Sequence, residues 1–99
     1  MAYQLRIQST AEAETDMILD YLTLKSPQAA SKFYKELHQC YSVLKEGVIS
    51  YGLSRFPELA LQGYHAVLFN SYVMLYLEEG DVRTIAHIFH QKQDYANLV

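Results

Sequence analysis

The chain has 99 residues, 51% hydrophobic and 19% charged, and a formal net charge of −3. That length leaves room for one core, so a single domain over residues 1–99 is expected, and the composition excludes a disordered chain. The acidic balance weighs against avid nucleic-acid binding, which draws on cationic contacts to phosphate.

Tyr3-Gln4-Leu5-Arg6-Ile7-Gln8 alternates apolar and polar residues, which predicts a half-buried strand with Tyr3, Leu5 and Ile7 facing inward. Ser9-Thr10-Ala11-Glu12 fits a capping box that opens a helix running to about Leu24. Its apolar stripe is read as Ala13, Met17, Ile18, Tyr21 and Leu22. Ser26-Pro27 is a second helix start, a cap residue followed by proline at the first helical position. That helix carries Ala29, Ala30, Phe33, Leu37, Tyr41 and Leu44 on one stripe and ends near Gly47. Joined by a short connection, the two helices form an antiparallel hairpin with one apolar face.

Residues 48–63 hold Gly52, Pro57 and Gly63 and are read as a loop with a short strand or helical turn. Three runs follow, Tyr64–Phe69, Tyr72–Glu78 and Val82–His90, rich in β-branched, aliphatic and aromatic residues. Asn70-Ser71 and Glu79-Gly80-Asp81 part them, so an antiparallel meander is expected. Tyr95, Leu98 and Val99 suggest a tail that docks. The predicted class is α+β, in the order β-α-α-β-β-β. The helical hairpin packs on one face of a mainly antiparallel four-stranded sheet.

One cysteine, Cys40, excludes an internal disulfide, and no apolar run approaches the ~20 residues that span a bilayer. Met1 leads directly into the alternating segment with no signal-peptide pattern, so a reducing, cytoplasmic setting and no membrane partner are expected. Cys40 has no activating base nearby in sequence and is read as a small buried hydrophobe. His87 and His90 are three apart, which in a strand points them to opposite faces and makes a poor metal pair. No other residues have ligand spacing, and nothing calls for a cofactor. Arg83 is read as a strand-face charge, His87 as structural and His38 as part of a solvated helix face.

Taken together, these segments resemble the ParE/RelE superfamily of toxins from bacterial type II toxin–antitoxin (plasmid stabilisation) modules. The likeness lies in S-T-A-E-A-E-T-D-M-I-L-D-Y-L, S-P-Q-A-A-S-K-F-Y-K-E-L, R-F-P, G-Y-H-A-V-L-F and I-A-H-I-F-H-Q-K-Q-D-Y. Each piece is a weak pattern; their order and spacing carry the resemblance over nearly the whole chain. It implies a small toxin held inactive by a cognate antitoxin. ParE-like members act on a protein, DNA gyrase, whereas RelE-like members cut mRNA on the ribosome. A third reading is an inactive toxin fold that only forms complexes.

An RNA-cleaving site must remove the 2′-hydroxyl proton, protonate the leaving oxygen and stabilise the phosphorane. By the resemblance the RelE-like candidates are His65, His90, Lys92 and Tyr95, joined more weakly by Arg55 and Glu58. Nucleolytic relatives carry arginine where this chain has His65 and within Gln91-Lys92-Gln93. Losing one such strong donor costs about 3 kcal/mol, a factor of roughly 10²–10³ in rate. The ending H-x-K-x-D also looks ParE-like, so a protein-binding toxin is the expectation and a ribonuclease the alternative. The bland reading of His90 is that it hydrogen-bonds the tail. Nine tyrosines and an amphipathic hairpin suggest a wet, partly apolar surface for an antitoxin, which adds a strand to a sheet edge or lays a helix in a groove. A homodimer is also open to such a surface.

Overall fold

A computed structural model describes residues 2–99. In chain order the elements are β1 (Gln4–Ile7), α1 (Ser9–Lys25), α2 (Pro27–Glu46), α3 (Pro57–Ala60), β2 (His65–Phe69), β3 (Tyr72–Glu79) and β4 (Val82–His90). A 3-10 turn at Tyr95–Asn97 closes the chain. The sheet order is β1-β4-β3-β2, with β1 parallel to β4 and the other pairs antiparallel. This is the predicted α+β layout.

The helical hairpin follows its punctuation. Ser26 caps α2, its Oγ accepting from the Ala29 N–H at 3.3 Å, and Pro27 is the first helical residue. Gly47 ends α2 at φ 76°, a left-handed conformation that costs an L side chain energy, and its N–H donates to Val43 O. The inner stripe of α2 holds Ala30, Phe33, Leu37 and Leu44 in the core.

Two expectations for α1 fail. The capping box does not form: Gln8 precedes the helix, with no side-chain cap, and Ser9 lies within the first turn. The Gln8 N–H donates to Ile85 O, which keeps this residue extended in the sheet. Its carbonyl then accepts the first helical bond, from Glu12 N–H. The buried stripe is also rotated. Ala11, Ile18, Leu19 and Leu22 pack inward, while Met17 is 71% and Tyr21 55% exposed. Glu14 and Thr15 share the inner side, so polarity does not mark it.

Those polar residues have partners. Register between β3 and β4 slips at Leu75/Tyr76, leaving Ala86 as a bulge. Beyond Ile85, β4 has no β1 beside it, and α1 supplies the missing bonds. Thr10 Oγ1 donates to Ala86 O at 2.9 Å, and Glu14 Oε1 accepts from the Ile88 N–H at 3.0 Å. Glu14 Oε2 lies 3.1 Å from His87 Nδ1, consistent with a structural His87.

The sheet is covered on both faces. One core joins Phe33, Leu37 and Leu44 to Val67, Phe69, Met74, Tyr76, Ile85 and Ile88 beneath the hairpin. A second joins Val73, Leu75 and Phe89 to Leu59 and Tyr95 on the opposite face, with Phe56 packed against them. The region read as a loop therefore supplies a lid, α3. The tail docks through Tyr95, with Ala96 packed against the same core; Leu98 and Val99 remain exposed. Leu5 packs on the core, whereas Ile7 is exposed because β1 is an edge strand.

Arg83 is the largest departure from expectation. It is a fully buried residue, not a strand-face charge. Its Nε donates to Glu78 Oε1 at 2.7 Å, and Nη1 donates to Leu44 O at 2.9 Å and Ile49 O at 3.2 Å. The guanidinium lies 3.9 Å from the Tyr3 ring centre and 5.6 Å from that of Tyr76. One side chain thus ties Tyr3, just before β1, the end of α2 and the following segment to β4.

Tyr41 on α2 packs against the first core. Burial pushes its hydroxyl from 10.0 up to about 12. The folded state therefore keeps a proton that the unfolded chain releases first, and stability falls as pH rises between 10.0 and about 12. Urea midpoints across that window are expected to drop for the native chain and to fall less steeply for Tyr41→Phe.

Candidate functional site

The chemistry-bearing residues gather where β4 ends, but strand geometry divides them. Successive side chains alternate faces. His90 lies on the hairpin side, beside Tyr72 with ring centres 5.4 Å apart. Gln91 and Tyr95 lie on the other side, lining a cleft of about 230 Å³ with Gly52, Leu53, Arg55, Ala66 and Leu68.

The turn after His90 is fixed by its own polar groups. The Lys92 N–H donates to His90 Nδ1 at 3.1 Å, and the His90 N–H donates to Gln93 Oε1 at 2.8 Å. A backbone N–H is only a donor, so the neutral His90 ring carries its proton on Nε2. Gln91 Nε2 donates to Asn70 O and Tyr72 O, both at 3.0 Å, pinning the β2–β3 turn to the end of β4. His90 thus fixes the turn that follows the strand end, and its hydrogen bonds reach Lys92 and Gln93 rather than the tail beyond them.

The other candidates are dispersed. His65 pairs with Tyr76, whereas His90 pairs with Tyr72 from the other side of β3, so the two histidines are offset by four residues, about 13 Å along the strand, with β3 between them. His65 Nδ1 lies 2.7 Å from Tyr51 O, and its ring stacks on Tyr76 at 4.9 Å and 17°. Tyr95 is only 3% exposed, with its ring against Phe56 and Phe89. Arg55 shares the cleft with Tyr95 and stacks its guanidinium 5.0 Å from the Phe56 ring centre. Lys92 and Glu58 are exposed, and neither side chain forms an ion pair among the described residues. Arg55 and Tyr95 are thus brought together; His65, His90 and Glu58 are not.

Burial raises the Cys40 thiol pKa, which suits a packed hydrophobe rather than a nucleophile. Among the described residues no group of three or more His, Cys, Asp or Glu is placed to hold a metal ion, and no helix is long and apolar enough to cross a membrane. The sequence reading passed over Lys32, Tyr21 and Tyr72, which surround His90 in a second cleft. Their signal is spread over three elements and has no local motif.

No curated protein matches the chain. Among solved structures, a chain described as the chromosomal ParDE TA system from P. aeruginosa is similar, with a TM-score of 0.70 and 20% identity. The match covers 90% of this chain and 96% of that one, and it shows a shared fold. The model for the ParE toxin of the type II toxin–antitoxin system, parDE, matches residues 5–95. With that match spanning both cores and the end of β4, the chain belongs to the ParE toxin family of type II toxin–antitoxin systems.

Proposed function

We propose that this chain is a toxin that acts by binding a protein target, DNA gyrase by family resemblance, and that a cognate antitoxin neutralises it. The observation that carries this reading is the separation of the candidate catalytic groups. His65 and His90 lie at opposite ends of the hairpin-side face, and Arg55 and Tyr95 lie behind the sheet. General acid–base cleavage needs its groups within hydrogen-bond reach of one phosphate. A binding toxin has no such requirement.

The antitoxin reading is supported by an unfilled edge. β1 pairs only with β4 and presents its other side to solvent. Beside it lies a groove of about 230 Å³ lined by Ile7, Leu37, Tyr34 and Tyr41, with Glu12 and Asp16 on its rim. Neither carboxylate has an ion-pair partner among the described residues. An antitoxin segment that adds a strand to β1 and sets a cationic side chain against this rim meets both features.

The test uses purified chain with gyrase in a supercoiling assay, beside translating ribosomes carrying a reporter mRNA. The expected result is loss of supercoiling, an intact message, and restored supercoiling when the cognate antitoxin is added. Cleaved message with unaffected gyrase would overturn the reading. The ribonuclease alternative keeps one observation in its favour, the shared cleft of Arg55 and Tyr95.

A further inference from the structure

The cleft on the hairpin side of His90 has a chemistry unlike the rest of the surface. Its volume of about 410 Å³ falls in the ~300–1,000 Å³ range of small-ligand sites. Tyr21 of α1 and Tyr72 of β3 supply aromatic walls, with Phe33 at the floor. Lys32 of α2 and His90 of β4 supply the polar groups, and Asn70 and Ser71 close one end.

Charge is segregated there. The protein carries −3 overall, yet no carboxylate lines this cleft, while the groove beside β1 carries Glu12 and Asp16. Lys32 has no ion-pair partner among the described residues. Lys25 does not line the cleft, but its Nζ lies 5.2 Å from the centre of the Tyr21 ring. The nearest acid on α2, Glu36, is held by Asn70 Nδ2 at 2.7 and 2.8 Å. His90 Nε2, the protonated nitrogen of the neutral ring, has no partner among the described residues.

We propose that this cleft binds a nucleoside monophosphate, its base stacked on Tyr21 and Tyr72 and its phosphate held by Lys32 and His90 Nε2–H. Stacking accepts any base because every base has a π-face, so the site selects for the phosphate and the ring together rather than for sequence. A single nucleotide also suits a protein whose net charge disfavours a polyanion. The site lies on the opposite side of the sheet from the cleft of Arg55 and Tyr95 and does not depend on the gyrase reading.

The experiment titrates the full chain with AMP, adenosine and inorganic phosphate in separate arms, following backbone amide shifts. AMP is expected to bind at least tenfold tighter than either fragment, with shifts centred on Lys32, Asn70, Ser71 and His90. Lys32→Glu and Tyr21→Ala, both at exposed positions, are each expected to weaken AMP at least tenfold while leaving the remaining spectrum folded. Binding of AMP weaker than ~1 mM, no tighter than phosphate, unchanged in both variants, or mapped to Arg55 and Gln91 would overturn the proposal.

Discussion

Replacing Arg83 with alanine is expected to lower unfolding free energy by about 3–5 kcal/mol, the cost of removing one partner from a buried charged network. The substitution leaves the Leu44 and Ile49 carbonyls without their donor and Glu78 without its counter-ion. It also opens a gap between the rings of Tyr3 and Tyr76. Domains of this size hold roughly 5–15 kcal/mol in total, so about a fifth or more of the stability goes. Lysine is not an adequate substitute, because one ammonium cannot reproduce the planar fork that serves three acceptors. Glu78→Gln is the control. The amide keeps an acceptor for Nε but leaves the buried guanidinium without its counter-ion, so a loss of roughly 2–3 kcal/mol is expected, smaller than for Arg83→Ala because both carbonyl bonds and the ring contacts remain. Urea melts of the three proteins check the order; equal midpoints for the native chain and Arg83→Ala would refute the role given to this residue.

Tyr95 separates structure from catalysis. Its ring closes the second core over Phe89 and beside Phe56. Tyr95→Ala is therefore expected to cost about 3–5 kcal/mol, the range for large aromatic truncations in cores. Tyr95→Phe keeps the ring, and the hydroxyl makes no hydrogen bond to another described residue, so a change under ~1 kcal/mol is expected. Growth arrest on induced expression should follow the same pattern, intact for Tyr95→Phe and reduced for Tyr95→Ala in step with its lost stability. A Tyr95→Phe protein that folds normally but has lost all toxicity would show that the hydroxyl takes part in chemistry, and the ribonuclease reading would then displace the binding one.

The meander was legible because its residues state one thing at every level. Val, Ile, Tyr and Phe fill the runs, and Asn70 and Gly80 occupy the turns at φ 55° and 60°. Pro27 and Gly47 likewise fixed the bounds of α2. Elements failed to show where a residue type departed from its usual place. Arginine is almost never fully buried unless paired, and two of the three acceptors of Arg83 are carbonyls distant in sequence. The second core draws on Phe56, Leu59 and Tyr95, which lie in two segments far apart in sequence, with no period to reveal a shared face. The candidate site suffered from the reverse effect. His90 and Tyr95 are close in sequence, yet the strand end and the turn after it direct them to opposite sides of the sheet. Proximity along the chain was a poor guide to proximity in space.

The parallel pairing of Gln4 with Val82 has a consequence for how the protein is made. The first strand to leave the translation machinery has no companion until the last one follows it. With closure of so long a loop required, the N-terminal segment stays unmatched through most of synthesis. Closure of the sheet is therefore deferred until β4 has been made, and until then β1 is an open edge whose backbone groups only water can satisfy.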